Sequence, residues 1–254
     1  MLTPFYKRIK KNRTLARISA FSWGITLLIS LGLSAQQTVR TGIDVLVEQD
    51  FKAIEGMRVG LITNATGVNS ELVSTIDLLN SAKNVHLVAL YGPEHGVRGD
   101  YAAGDKVDSY VDQATSLPVF SLYGSTRKPT PEMLEGVEVL VYDIQDIGVR
   151  SYTYISTMGL AMEAAADLEI PFMVLDRPNP LGGLKVEGSL VDPEFESFVS
   201  KFPIPYVYGL TPAEIALMIN HKGWMDIEKK ADLIVISMEG WTREMTFEQT
   251  GLPW

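Results

Sequence analysis

The sequence of 254 residues contains no cysteine and only three histidines. Without cysteine the chain has no disulfide, no thiolate zinc site, no cysteine nucleophile and no lipid-modified cysteine. Only one histidine, His95, lies in a predicted polar loop, which disfavours a histidine-rich zinc site, whereas an all-carboxylate Mg²⁺ site stays open. The sequence also lacks a Gly-x-Ser-x-Gly elbow and a three-glycine dinucleotide fingerprint. Carboxylate chemistry is therefore the main expectation.

Residues 1–35 have the composition of an export signal rather than of a folded domain. Six basic residues between Lys7 and Arg17 precede an almost uncharged run, residues 18–33, and Leu33-Ser34-Ala35 resembles a signal-peptidase site. The run spans about 16 residues, short of the ~20 that a spanning helix needs, so we predict cleavage, with an uncleaved anchor as the alternative. The remaining chain has a net charge near −15, which disfavours nucleic acid and anionic membranes. We expect an exported bacterial protein of the periplasm or cell envelope, without membrane contact after cleavage.

Apolar runs alternate with helical patterns along the rest of the chain, which predicts an open, largely parallel α/β sheet. The predicted strands are residues 58–63, 87–91, 118–123, 138–143, 171–176 and 233–236. The predicted helices are residues 44–51, a helix through Leu72 and Ala82 capped by Asn69 or Ser70, a short one through Met133 and Leu134, residues 153–168, and one from Thr211-Pro212 through Ile219. The acidic segment 102–117 is predicted to be an irregular, solvated flap.

Three predicted strands deliver acidic or polar groups at their carboxyl ends. These groups are Glu94, His95 and Arg98 in the loop of residues 91–101, Asp143 and Asp146 after the fourth strand, and Asp176 with Arg177 after the fifth. Ligands of open α/β sheets bind outside the carboxyl ends of the strands, so we expect one pocket there. Asn64, after the first strand, offers a further hydrogen-bonding group, although a purely structural turn explains it equally well.

Glu94 is the candidate general acid. The preceding proline and the apolar strand favour partial desolvation, which stabilises the protonated carboxyl that such an acid needs. Glycoside hydrolysis usually requires a second carboxylate, about 5–5.5 Å away for retention or about 6.5–9.5 Å for inversion. Asp143, Asp146 and Asp176 are the candidates for that role. Each could instead cap the following helix or pair with an arginine.

Four motifs in sequence order resemble the exo-β-N-acetylmuramidase family, once catalogued as a domain of unknown function. They are Tyr-Gly-Pro-Glu-His-Gly-Val-Arg-Gly (91–99), Tyr-Asp-Ile-Gln-Asp-Ile-Gly-Val-Arg-Ser-Tyr-Thr-Tyr (142–154), Leu-Asp-Arg-Pro-Asn-Pro (175–180) and Glu-Gly (187–188). The resemblance covers residues 39–254. It implies release of N-acetylmuramic acid from the non-reducing ends of peptidoglycan fragments, without a metal or organic cofactor, and it places the catalytic glutamate on Glu94.

The remaining site residues are assigned around Glu94. His95, Asp143 and Asp146 are the further catalytic candidates. The lactyl carboxylate of such a substrate favours an arginine in the cleft, and the acetamido group could itself assist the reaction. The predicted substrate-binding residues are Asn64, Arg98, Arg150, Tyr152, Asp176 and Arg177.

The resemblance also implies a domain organisation. We predict a signal peptide over residues 1–35, a Rossmann-like catalytic domain with helices on both faces over residues 36–181, and a segment, 182–254, that completes the sheet and starts a smaller C-terminal domain. Relatives continue past Leu-Pro-Trp at 252–254, so the rest of that domain is expected to be missing and activity is left open. The alternatives are a non-catalytic binder of cell-wall sugars and, less favoured, a carboxylate-Mg²⁺ phosphohydrolase.

Overall fold

The computed structural model describes residues 38–102 and 109–254. The predicted signal peptide, and Asp105 and Asp108 of the acidic segment, lie outside the described residues. Within the described part, seven strands form one sheet in the order β3-β4-β2-β1-β5-β6-β7. Their bounds are β1 Arg58–Thr63, β2 His86–Gly92, β3 Tyr110–Val111, β4 Pro118–Ser121, β5 Val139–Asp143, β6 Phe172–Leu175 and β7 Leu233–Ile236.

All neighbouring strands pair in parallel except β3, which runs antiparallel to β4 at one edge. β1 lies between β2 and β5. The strands β2 to β4 extend the sheet on one side of β1, and β5 to β7 then extend it on the other side. The six parallel strands follow the order of the doubly wound dinucleotide-binding fold. This confirms the prediction of a Rossmann-like sheet. β7, from the predicted segment 182–254, completes it by pairing with β6.

Within residues 38–102 and 109–254, four α-helices cover the two faces of the sheet. They are α1 Gly42–Glu48, α2 Thr75–Ser81, α3 Tyr154–Asp167 and α4 Pro212–Lys222. Leu140 and Tyr142 of β5 pack in one apolar cluster with α3 and α4, whereas Val139 and Val141 pack in a second cluster with α1 and α2. The side chains of successive strand residues thus pack in the two cores on opposite faces of the sheet, as expected for a parallel sheet that is buried on both faces. No helix within the described residues is long and apolar enough to cross a membrane.

Polar caps determine where the helices begin. Thr41 and Asp44 form a reciprocal capping box at the start of α1, and the other oxygen of Asp44 accepts hydrogen bonds from Ser70. Burial raises the pKa of Asp44, but the hydrogen bonds from Ser70 and Thr41 outweigh it and lower that pKa overall. Thr211 and Glu214 form the equivalent box for α4. Each box satisfies backbone donors that a helix start leaves unpaired.

Three predicted helices need correction. The helix predicted through Leu72 begins only at Thr75, because Asn69 accepts hydrogen bonds from Val73 and Glu71 in a turn, and Leu72 has a φ of 63°. The helix predicted for 44–51 ends at Glu48, since residues 50 and 51 both have positive φ. The predicted helix through Met133 and Leu134 is a run of turns.

The acidic segment is also less exposed than predicted. It contains β3, and the Asp112 carboxylate is 4% exposed and bonded to Arg98 at 2.7 Å. Asp112 additionally accepts hydrogen bonds from the backbone and hydroxyl of Thr115. The hydrogen bond from Arg98 is the main cause that lowers the pKa of Asp112 to about 2. The prediction of a solvated flap is therefore wrong for the part of the segment around Asp112.

The central strand generates a stability prediction. Leu61 of β1 is fully buried, whereas Leu217 of α4 is 50% exposed. Leu61→Ala leaves a cavity and should lower the free energy of unfolding by about 2–5 kcal/mol. The matched change Leu217→Ala should alter it by less than about 0.5 kcal/mol. Urea unfolding followed by circular dichroism measures both, and equal losses would contradict the assignment of β1 to the core.

Candidate active site

The loops after β1, β2 and β5 meet at the carboxyl edge of the sheet, where the strand order reverses. Asn64 follows β1, Glu94 follows β2, and residues 144–153 follow β5. The loops after β1 and β5 are joined directly, because the backbone amide of Gln145 donates to the Thr66 hydroxyl at 3.0 Å. Ligands of doubly wound sheets bind in the crevice at this reversal. The candidate site therefore lies around these three loops.

A tight turn presents Glu94. The backbone amide of Gly96 donates to the Pro93 carbonyl at 3.0 Å, and the intervening Glu94 and His95 are half-buried. His95 has a φ of 73°, a left-handed conformation that costs a non-glycine residue roughly 1–2 kcal/mol. Its ring Nδ1 lies 3.1 Å from the Tyr101 carbonyl oxygen, which holds the ring against the loop. Strain of this kind is typical of functional turns.

Two tyrosines interact with Glu94, one through a hydrogen bond and the other through the charge of the carboxylate. Tyr123, just after β4, forms a side-chain hydrogen bond with Glu94, which is the main cause that raises the pKa of Tyr123. Tyr154, at the start of α3, has a pKa raised mainly by burial, and the charge of Glu94 adds to that rise. A side-chain hydrogen bond from Asn64 opposes it. Glu94, Tyr123, Tyr154 and Asn64 thus form one polar cluster, which brings together the predicted residues Glu94 and Asn64.

Asn64 is fixed within this cluster. Its side-chain oxygen accepts hydrogen bonds from the Thr66 amide at 2.9 Å and the Thr66 hydroxyl at 2.6 Å. Asn64 is 5% exposed, so the turn after β1 holds the amide in one orientation. These internal hydrogen bonds also fit a purely structural turn, so the substrate-binding role of Asn64 stays a prediction.

Asp143 and Arg177 form a buried ion pair. Arg177 donates from Nε to one carboxylate oxygen at 2.6 Å and from Nη2 to the other at 2.9 Å, and Asp143 is fully buried. Thr75 donates to the same carboxylate, and Arg177 also donates to the Val68 carbonyl at 2.8 Å. All of these contacts are internal to the fold. The catalytic role of Asp143 and the substrate-binding role of Arg177 stay predictions.

Asp176 holds the start of α4. Its two oxygens accept hydrogen bonds from the Thr211 hydroxyl and the Ala213 amide, each at 3.0 Å. Burial is the main cause that raises the pKa of Asp176 to about 6, and the bond from Ala213 is the main opposing effect. This is the helix-capping alternative considered for the carboxylates.

Asp146 is the third candidate for a second carboxylate. One oxygen accepts hydrogen bonds from the Gly148 amide at 2.8 Å and from the Tyr208 hydroxyl, whereas the other has no side-chain or backbone donor among the described residues. Asp146 is 3% exposed, and burial raises its pKa to about 6 against the lowering effect of Tyr208. Its charge also raises the pKa of Tyr154, so Asp146 lies near the polar cluster but is enclosed by protein.

The other predicted substrate-binding residues lie around this edge. Arg98 pairs with Asp112, and with Asp77 at 3.2 Å. Arg150 donates to the carbonyls of Ser189 and Ile204 at 2.5 and 2.7 Å. Tyr152 is 46% exposed, and its ring meets that of Tyr154 edge-on at 6.0 Å. Each of the three predicted arginines thus donates hydrogen bonds within the fold, whereas the side chain of Tyr152 is largely exposed.

Residues 38–102 and 109–254 contain no group of three His, Asp or Glu side chains that could hold a metal ion. Tyr123 is not among the site residues predicted from the sequence, because it was assigned to the end of a predicted strand. Thr75 and Tyr208, which hydrogen-bond to the predicted carboxylates Asp143 and Asp146, were not predicted either. A tyrosine next to a Gly-Ser break after an apolar run is the signal that could have identified Tyr123.

A described family matches most of the chain: "Exo-beta-N-acetylmuramidase NamZ, N-terminal" matches residues 59–254. Peptidoglycan beta-N-acetylmuramidase NamZ of Bacillus subtilis (strain 168) is 54% identical over 215 residues, which are 85% of this chain and 51% of that protein. Crystal structures of two DUF1343 family proteins of Bacteroides fragilis NCTC 9343 superpose with TM-scores of 0.80 and 0.72, at 61% and 32% identity. They align over 85% and 82% of this chain and 54% of each of those chains. The chain therefore spans about half the length of these relatives.

The buried carboxyl of Asp146 predicts a dependence of stability on pH. Its pKa is about 6 in the folded chain against an ordinary value of 3.8, so between these values the folded state holds a proton that the unfolded state releases. The free energy of unfolding should therefore fall as pH rises from 4 to 6, by about 1.4 kcal/mol per unit of pKa difference. Asp146→Asn should remove this part of the dependence.

Urea unfolding at pH 4, 5, 6 and 7 measures the effect as a difference between the wild type and Asp146→Asn. The exposed residue Asp232 provides the matched control, since Asp232→Asn should leave the wild-type profile unchanged. Asp112 titrates near 2 and does not contribute above pH 4. A difference between wild type and Asp146→Asn that is constant with pH would contradict the prediction.

Proposed function

The chain belongs to the exo-beta-N-acetylmuramidase NamZ family, and from this membership we propose that it acts as an exo-acting glycoside hydrolase. Its substrate is a peptidoglycan fragment, from whose non-reducing end it releases N-acetylmuramic acid. The family assignment confirms the resemblance drawn from the four sequence motifs. The observation that carries the proposed reaction is the half-buried Glu94, hydrogen-bonded to Tyr123 where the strand order reverses.

Glu94 is the general acid of the proposed reaction. Its carboxyl donates a proton to the glycosidic oxygen as the bond to the anomeric carbon breaks. Tyr123 restricts the rotation of that carboxyl through their hydrogen bond, and the His95 turn fixes the backbone on which it stands. Tyr154 and Asn64 line the same cluster and are suited to bind hydroxyl or amide groups of the sugar.

The second catalytic group is proposed to belong to the substrate. Asp143 and Asp176 each accept several hydrogen bonds from the fold, and Asp146 is enclosed. None of these three carboxylates is as accessible as Glu94. The acetamido oxygen of the sugar can attack the anomeric carbon instead, as in the substrate-assisted glycosidases. Water then opens the resulting ring, with Glu94 as the base.

An exported location is consistent with this substrate. Peptidoglycan fragments occur in the cell envelope, where the predicted signal over residues 1–35 would deliver the chain. The acidic composition, with 31 Asp and Glu against 22 Lys and Arg, suits a sugar substrate better than a nucleic acid. We therefore retain the periplasm or cell envelope as the proposed location.

Replacing the acid tests the proposed reaction. Glu94→Gln keeps the size of the side chain but removes the proton donor, so release from a chromogenic β-N-acetylmuramide should fall about 10²- to 10⁴-fold. Glu135→Gln, at an exposed glutamate, is the matched control and should retain full activity. The same assay is made on this chain and on a version extended with the C-terminal half of a relative.

Three outcomes decide between the functions considered. Release that disappears with Glu94→Gln supports the hydrolase, and comparison of the two chain lengths shows whether the added half is required. No release from the muramide, together with EDTA-sensitive hydrolysis of a chromogenic phosphate monoester, supports the carboxylate-Mg²⁺ phosphohydrolase. If no version releases the chromophore while the sugar still binds, the chain is a binding protein and the hydrolase proposal is wrong.

A fluorinated substrate tests the assisting group. Fluorine in the acetyl group withdraws electrons from the carbonyl oxygen and weakens it as a nucleophile. The rate of release should therefore fall progressively from the acetyl to the monofluoroacetyl and trifluoroacetyl substrates, measured as kcat on the active form of the chain. Equal rates across this series would assign the second role to a side chain or to water.

A further inference from the structure

Arg127 lies in the loop after β4, close to the tyrosine that contacts Glu94. The hydrogen bond to Glu94 raises the pKa of Tyr123, and the positive charge of Arg127 lowers it by a smaller amount. Arg127 is four residues from Tyr123 along the chain, so their Cα atoms are at most about 14 Å apart. Arg127 therefore belongs to the same loop region as the tyrosine that contacts Glu94. It is not among the site residues predicted from the sequence.

The Arg127 guanidinium is held by an aromatic ring rather than by a carboxylate. Its Cζ atom lies 4.4 Å from the centroid of the Phe198 ring, within the range of a cation–π contact. Neither a hydrogen bond nor an ion pair engages this guanidinium within residues 38–102 and 109–254. Stacking leaves the N–H groups at the edge of the plane available, in the geometry that binds a carboxylate through two parallel hydrogen bonds.

A groove of about 280 Å³ lies against this stack. It is lined by Arg127, Leu160, Glu196, Ser197, Phe198 and Lys201. Lys201 is paired with Asp226 at 3.0 Å and with Glu196 at 4.0 Å, so its charge is largely neutralised. Arg127 is the lining cation that has no carboxylate partner in the described residues. The volume is slightly below the usual range for small-molecule sites, about 300–1,000 Å³, and suits one substituted sugar.

We propose that Arg127, stacked on Phe198, binds the lactyl carboxylate of the substrate and so selects N-acetylmuramic acid over N-acetylglucosamine residues. This inference rests on the proposed function. The chain carries a net charge of −9, so an anionic substituent needs a local cation to enter. Arg98, Arg150 and Arg177 each donate hydrogen bonds within the fold, whereas Arg127 makes none among the described residues.

Calorimetric binding tests the carboxylate site without requiring turnover. The probes are N-acetylmuramic acid, its neutral methyl ester and N-acetylglucosamine. The wild type should bind the acid about tenfold or more tightly than the ester, as expected for one charge-assisted pair. Arg127→Ala should weaken binding of the acid to the level of the ester and leave the ester unchanged. Arg127→Lys keeps the charge but not the planar fork, and should restore part of the preference.

Lys222→Ala is the matched control, because it removes an exposed positive charge from the end of α4. It should bind all three probes as the wild type does, and circular dichroism should show every variant folded. The inference is overturned if Arg127→Ala binds the acid as tightly as the wild type, or if the wild type binds acid and ester equally.

The two proposals fail separately. If Glu94→Gln abolishes release while Arg127→Ala leaves the preference for the acid intact, the hydrolase stands and the role of Arg127 is wrong. If no form of the chain releases the chromophore while Arg127→Ala removes that preference, the carboxylate site stands and the hydrolase is wrong.

Discussion

The buried ion pair between Asp143 and Arg177 organises the edge of the sheet on which the site depends. It joins the ends of β5 and β6, and through Thr75 and the Val68 carbonyl it also ties down α2 and the loop after β1. Removing either partner would leave a buried charge unpaired, which typically costs about 3–5 kcal/mol. Bidentate geometry and a third donor to the carboxylate offset the desolvation of both groups. The buried ion pair therefore fixes the strand ends from which the loops of the candidate site begin.

This arrangement divides the polar residues of the edge into two groups. Asp143, Arg177 and Asp176 are buried and each makes at least two hydrogen bonds within the fold, through which they position the strand ends and α4. Glu94 is half-buried and contacts a tyrosine. Charged residues at strand ends are thus not equivalent, because burial with several partners indicates support, whereas partial exposure on a strained turn indicates chemistry.

The sequence predicted the strands of the sheet, but not the contacts between distant residues at its edge. Strands 58–63 and 233–236 match to the residue, because a continuous apolar run between polar or glycine residues has few other structures available. The start of α2 was predicted too early, since the Asn69 turn competes with helix for the same backbone groups. The pairing of Asp143 with Arg177 joins residues 34 positions apart. No local sequence pattern encodes such contacts. The contact between Arg127 and the Phe198 ring could not be predicted for the same reason.

The position of β1 at the centre of the sheet also affects how the chain reaches its fold. One edge of β1 pairs with β2, which follows it closely in the chain. The other edge pairs with β5, where the Asp143 carbonyl accepts a hydrogen bond from the Thr63 hydroxyl, 80 residues away in the sequence. At the usual rates of synthesis, about 5–20 residues per second, that partner emerges about 4–16 s later. Until then an apolar strand edge is open to pairing with other chains. The topology that creates the site therefore makes the half-finished chain prone to aggregate, and delaying collapse until β5 is present would protect it.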